Sequence, residues 1–142
     1  MSAVKLVAVF SENKPGQTAR ITKIIADAGV NIRWVTIASS GPFGVMKFLV
    51  DKCDTAVDAL KQKGVAVSLL EVLAIEVKDK PGSLQAVAER LAKHSVNLDN
   101  ASGFVANKRA VLVVEVHEIS KACAVLEKQG LRALTQEEML NL

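Results

Sequence analysis

Aromatic side chains are scarce in this 142-residue chain, which has four Phe, one Trp and no Tyr. Its core must therefore be built from Val, Leu, Ile and Ala, and stacking platforms for nucleic-acid bases are nearly missing. A surplus of one charge is lacking as well. The 18 Lys and Arg residues are interspersed with 15 Asp and Glu, so the formal charge of +3 and pI near 9.0 produce no basic stripe. Nucleic acid is not expected as a partner. No apolar run approaches the ~20 residues of a membrane span. Met1-Ser2-Ala3-Val4-Lys5 lacks the layout of a secretion signal. The expected location is cytoplasmic, with no membrane partner.

Catalytic and metal-binding patterns are also missing. Cys53 and Cys123 stand far apart with no His or Cys at zinc spacing, and are expected to be reduced core thiols. His94 and His117 are isolated. No G-x-x-x-x-G-K occurs, and no serine stands in a motif with a histidine, so neither an enzyme, a cofactor nor a metal is expected.

What the chain does contain is a copy of itself. Lys14-Pro15-Gly16 returns as Lys80-Pro81-Gly82, Val30-Asn31 as Val96-Asn97, Val45 as Val111, Leu60 as Leu126 and Gly64 as Gly130, all at one constant offset without insertion or deletion. Between these pairs one apolar residue stands for another, as in Ile21/Val87, Ile25/Leu91 and Met46/Leu112. The same core is encoded twice.

Periodicity changes in the same order in each copy. Val4, Leu6, Ala8 and Phe10 alternate as in a strand, and Glu12 to Gly16 break the pattern. Ile21, Ile24, Ile25 and Ala28 then fall on one face of a helix ended by Gly29, matched in copy two by Leu84, Val87, Ala88 and Leu91. Two β-rich stretches, 31–39 and 45–53, flank a hairpin loop at Ser40 to Gly44. Asp54 is the predicted N-cap of a second helix ending near Gly64, and 65–70 supplies the last strand. The order βαββαβ, used twice, predicts an α+β chain of two tandem ferredoxin-like modules, residues 1–70 and 71–142, each an antiparallel sheet with its helices on one face. Continuous strand-forming sequence from Ser68 to Val77 leaves no flexible linker. Thr135 and Glu138 have capping-box spacing, so a short helix is expected over 136–142.

On these residues the chain resembles the ACT family of small-molecule-sensing modules. Asn13-Lys14-Pro15-Gly16-Gln17 and Gly29-Val30-Asn31-Ile32 carry the likeness in copy one, Asp79-Lys80-Pro81-Gly82-Ser83 and Val96-Asn97-Leu98 in copy two. Phe43 to Lys47 and Glu137-Glu138 further resemble stand-alone tandem-ACT regulatory proteins that bind amino acids. The resemblance implies a ligand at a junction between the first loop of one module and the second strand of the other. The candidate ligand-binding residues are therefore Asn13, Lys14, Pro15, Gly16, Gln17, Val30, Asn31 and Ile32, with Asp79, Pro81, Gly82, Ser83, Val96, Asn97 and Leu98.

Physical chemistry is compatible with that placement. A helix opening at a Pro-Gly turn presents unpaired N–H groups and positive potential to a carboxylate. Asn31 and Asn97 carry both an acceptor and a donor, as an α-amino acid requires. Plain structural readings stand beside these: Pro-Gly as a helix-starting turn, the asparagines as partners of backbone groups, Trp34 and Phe43 as core or interface. Copy two departs from the pattern at Ser95, which replaces Gly29, and in a more polar following strand. The expected function is an amino-acid-binding regulatory protein without a catalytic domain. It is expected to be homodimeric, with a partner enzyme to report to. The alternative is an interaction module that dimerises or docks on an enzyme through its sheet edges without a ligand.

Overall fold

A computed structural model describes residues 3–142 as two compact units, Lys5–Leu70 and Glu71–Leu142, the latter joined by Val4. The elements run β1 (Val4–Glu12), α1 (Gln17–Asp27), β2 (Ile32–Ser40), β3 (Phe43–Val50), α2 (Cys53–Gln62), β4 (Ala66–Val77), α3 (Ser83–Lys93), β5 (Asn100–Ala106), β6 (Arg109–Glu115), α4 (Ile119–Glu127) and α5 (Gln136–Leu140). The division between the units falls within β4.

In the first unit the strand order is β2-β3-β1-β4. β1 pairs antiparallel with β3 from Val7↔Phe48 to Glu12↔Phe43. Its helix-facing side chains, Val7 and Val9, close on Ile21 and Ile25 of α1, Leu60 of α2 and Phe48 of β3. Burying each large aliphatic or aromatic side chain here stabilises the unit by about 1.5–3 kcal/mol. Leu6 and Ala8, on the opposite face of β1, are buried too, but the alternation ends at Phe10, which is 51% exposed.

Two local expectations are corrected. The hairpin loop is two residues long, not five, because Ser40 and Ser39 pair with Phe43 and Gly44. Gly41, with φ 61°, stands at the position where a type II′ turn takes glycine. In addition, α2 begins one residue before Asp54. Its N-cap is Lys52, and Asp54 lies in the first turn, where its charge suits the helix dipole.

The second unit repeats this plan with the order β4-β6-β5, and its register matches: Leu73↔Val114 reproduces Val7↔Phe48 one repeat later. Its core joins Leu73 and Ile75 to Val87 and Leu91 of α3 and Leu126 of α4. Leu84, placed by periodicity on the inner face of α3, is 52% exposed. The polar stretch after Asn97 still forms β5, and Gly103 keeps it close to Leu112. The closing strand is reduced to one antiparallel bridge, Ile75↔Ala133, flanked by Leu134 N–H to Ala74 O (2.7 Å) and Glu76 N–H to Arg132 O (3.3 Å). The chain then turns into α5 through the expected capping box, in which Glu138 N–H donates to Thr135 Oγ1 (3.1 Å) and Thr135 N–H to Glu138 Oε1 (3.2 Å). Buried Leu134 and Met139 hold this segment down.

Ser95 of the second unit stands where the first has Gly29. Both close the same motif after a helix: Val30 N–H reaches Ile25 O, and Val96 N–H reaches Leu91 O. Both are left-handed, at φ 73° and 59°. A side chain with a Cβ is strained there by about 1 kcal/mol relative to glycine. Ser95→Gly is expected to stabilise the protein by about 1 kcal/mol, read as a higher urea midpoint at unchanged slope. An unchanged or lower midpoint would show that Ser95 carries no strain.

Candidate functional site

The end of the first unit that carries the β1–α1 turn has an open concave surface. Gly16 is the N-cap of α1 with φ 89°, a conformation that a residue with a Cβ adopts only under strain. No side chain caps the helix. Gln17 N–H reaches Lys14 O (3.3 Å) and Arg20 N–H closes the first turn on Gly16 O (2.9 Å), so the Thr18 and Ala19 N–H groups face outward as the orphan donors of a helix start.

Asn13 fixes this turn against the β2–β3 hairpin. Its N–H donates to Pro42 O (2.7 Å) and its Nδ2 to Gly41 O (3.1 Å). Arg20, one turn into α1, donates from Nη2 to Lys63 O at 3.2 Å. A cation near the start of a helix stands on the side its dipole disfavours.

Between these elements lies an open groove of about 760 Å³. Phe10, Phe43 and Val45 line it with apolar surface from the sheet face that alternation turns away from α1, Gln17 and Arg20 line it from α1, and Gly64 to Ala66 from the α2–β4 connection. Phe43 is 65% exposed, so it is groove surface, not core. Gly44 stands where the wall leaves no room for a side chain: a Cβ there would come within 2.5 Å of Ser39 Oγ. A smaller recess of about 430 Å³ follows Lys14, Pro15, Gly16, Gln17 and Arg20.

The sequence-derived candidates divide between two ends of α1. Asn13 to Gln17 lie beside the groove, although the Asn13 amide is spent on the hairpin and Lys14 Nζ on Glu12 (3.1 Å). Val30, Asn31 and Ile32 line a separate recess of about 500 Å³ at the other end. The eleven residues of α1 separate the two groups by ~16 Å at 1.5 Å per residue. Asn31 N–H donates to Asp51 Oδ1 (2.9 Å), which ties it to the end of β3, and Val30 is core. Within the first unit, Gly16 and Asn31 are not brought together.

In the second unit Gly82 is again a left-handed N-cap, at φ 90°. The Ser83 hydroxyl is engaged, donating to Lys78 O at 2.5 Å. Asn97 Nδ2 donates to Asp99 Oδ1 (3.0 Å), Val96 is core, and Leu98 packs at the core margin. Asp79 and Pro81 sit on the exposed turn.

Sequence reasoning did not place Phe10, Arg20 or the ion network of the second unit, and read Phe43 as core or interface and not as groove surface. The available signals were an arginine on the wrong side of a helix dipole and large aromatics at positions where copy two has Glu76 and Arg109. In that network Arg109 grips Glu76 bidentately (Nε to Oε2 2.7 Å, Nη2 to Oε1 2.9 Å), and Arg132 joins Glu76 (3.7 Å) to Glu138 (2.6 Å). The Arg109 hydrogen bonds hold the Glu76 carboxyl below the usual range, and the Thr135 N–H followed by Arg132 does so for Glu138. With native values below the unfolded ones, their stabilisation is complete above the ordinary glutamate range and is lost as pH falls through the lowered native values. The melting temperature is expected to drop below about pH 4, and less so in Glu76→Gln; equal acid sensitivity in that variant would exclude the Glu76–Arg109 pair as a cause.

The two βαββαβ units, with a left-handed Pro-Gly helix start in each, define a tandem module of the ferredoxin-like class. The profile of the family described as "ACT domain pair" matches residues 1–142, and the chain belongs to that family. Protein BT0572 from Bacteroides thetaiotaomicron is similar over 99% of this chain and 97% of its own, with 27% identity and a TM-score of 0.90. The fold is shared with the regulatory subunit of aspartate kinase from Thermus thermophilus (16% identity, TM-score 0.60, 87% and 90% covered). It is shared also with aspartate kinase from Clostridium acetobutylicum (16%, TM-score 0.54), of which the match covers 32% against 89% of this chain. Comparison with curated proteins finds none that matches.

Proposed function

We propose that this protein is a regulatory binding protein, without catalytic activity, that takes an amino acid or a related small carboxylate at the start of α1 in the first unit. The observation that carries the reading is the uncapped helix start at Gly16, with Arg20 one turn on and a groove of about 760 Å³ alongside. Outward N–H groups, the helix dipole and a guanidinium together favour a carboxylate. The volume lies within the range of small-molecule sites. Membership of the ACT-pair family and a fold shared with kinase regulatory subunits support a regulatory role. Burial pushes the Cys53 thiol up, away from the thiolate that a nucleophile needs.

A thermal-shift screen against the twenty amino acids tests the reading. A ligand at one hundred times its dissociation constant adds about 2.7 kcal/mol, a rise of roughly 5–10 °C for a chain of this size. Silence across the set would sink it.

A second reading has an observation of its own. In the first unit β2 pairs only with β3, and Val35 and Ile37 on it are about half exposed. An open strand of this kind recruits another chain by edge pairing. A homodimer that persists by sedimentation without any ligand, together with a silent screen, would select an interaction module.

A further inference from the structure

The repeat makes the groove comparable with its counterpart, position by position. Phe10↔Val45 in the first unit corresponds to Glu76↔Val111 in the second, and Ser40↔Phe43 to Ala106↔Arg109. The two exposed phenylalanines of the groove wall are thus replaced by the bidentate Glu76–Arg109 pair. Arg20 is replaced by Ala86, and Ala66, on the far side of the groove, by Arg132, which reaches both Glu76 and Glu138.

We propose that the chain carries a single acceptor for an organic anion with an apolar body, in the first unit only, and that the second unit fills the corresponding space with its own carboxylate–guanidinium network. This deepens the proposed function and rests on it for the identity of the natural ligand, but the groove itself is read independently. Charge and shape argue for the occupant. Phe10, Phe43 and Val45 offer apolar surface that water covers poorly, and Arg20 with the α1 start offers a place for one negative charge at its edge. In the second unit Glu76 already supplies a carboxylate, held on two nitrogens of Arg109 and neighboured by Arg132. A bidentate pair tied into a wider network is the kind of exposed ion pair that keeps its geometry.

The test uses the full chain and two probes, 3-phenylpropanoate and L-phenylalanine, with L-serine as the polar control, each titrated calorimetrically. One site per chain is expected for 3-phenylpropanoate, with L-serine at least about tenfold weaker. The double variant Phe10→Glu/Phe43→Arg, which copies the second unit, is expected to lose binding at least about tenfold with its circular dichroism retained. If the double variant does not fold, Phe43→Ser alone at this exposed position is expected to weaken binding several-fold. A single site for 3-phenylpropanoate without one for L-phenylalanine upholds the acceptor and removes apolar amino acids as its natural ligand. Two equivalent sites per chain, L-serine bound as tightly, no binding of either apolar probe, or a folded variant that binds like the parent would each overturn the proposal. If neither apolar probe binds but the amino-acid screen gives a polar hit, the acceptor falls while the parent reading stands.

Discussion

Replacing Phe48 by alanine is expected to destabilise the protein by about 3–5 kcal/mol, the usual cost of deleting a fully enclosed ring. Phe48 is 0% exposed, pairs with Val7 on one side and Val35 on the other, and belongs to the cluster with Ile21 and Ile25. Dense packing from two elements leaves little freedom for neighbours to collapse into the void. Against a total of about 5–15 kcal/mol for a domain, such a loss puts the fold near its limit. Phe43→Ala supplies the contrast. It removes an equal ring from the groove wall, and is expected to change stability by no more than about 0.5 kcal/mol. Urea unfolding of both variants settles the matter, and a Phe48→Ala loss below about 1 kcal/mol would mean that the core has been misplaced.

The second large effect concerns binding. Whichever amino acid the screen identifies, Arg20→Ala is expected to weaken it about tenfold or more, since a hydrogen bond to a charged group contributes ~1.5–3 kcal/mol. Arg20→Lys is expected to fall between, keeping the charge but losing the planar fork. The native contact of Arg20 is one exposed hydrogen bond to Lys63 O, so the variant is expected to fold normally. Equal dissociation constants for parent and Arg20→Ala would remove the guanidinium from the site. Loss in proportion to ionic strength alone would assign it a steering role.

Much of the fold could be read from sequence because its signals are local and stated twice. The constant offset of the repeat fixed the modules, and helix periodicity put Ile21, Ile25, Val87 and Leu91 inside. Thr135 and Glu138 announced α5 by a reciprocal pair of hydrogen bonds that needs only their spacing. The failures have physical causes. Phe10 continues the alternation of β1 past the region where anything covers that face, and alternation reports direction, not cover. The hairpin loop was overestimated because glycine at Gly44 resembles a turn signal, whereas it sits there as the residue without a Cβ opposite Ser39. The closing strand of the second unit is reduced to one bridge, at Ala133, just before the capping box of α5.

Of the candidate site, the helix start is the part that local signals announce. Pro-Gly turns announce helix starts, and Gly16 does start α1. Asn31 was grouped with it through family likeness, which implies a junction between the first loop of one module and the second strand of the other; within the first unit taken alone the two lie at opposite ends of α1. Arg20, Phe10 and Phe43 become neighbours of the turn only through strand register and the α2–β4 connection, relations spread over residues 10–66 that no short motif encodes.

The most direct measurement of the central claim is a map of backbone amide shifts on adding the amino acid that gives the largest thermal shift. Binding at the start of α1 moves the amides of Gln17, Thr18 and Ala19 most, with smaller changes at Phe43 and Gly44, and leaves the matching Ser83 to Gln85 amides of the second unit in place. Shifts concentrated around Asn31 or spread equally over both repeats, with the Gln17–Ala19 amides unmoved, would contradict it.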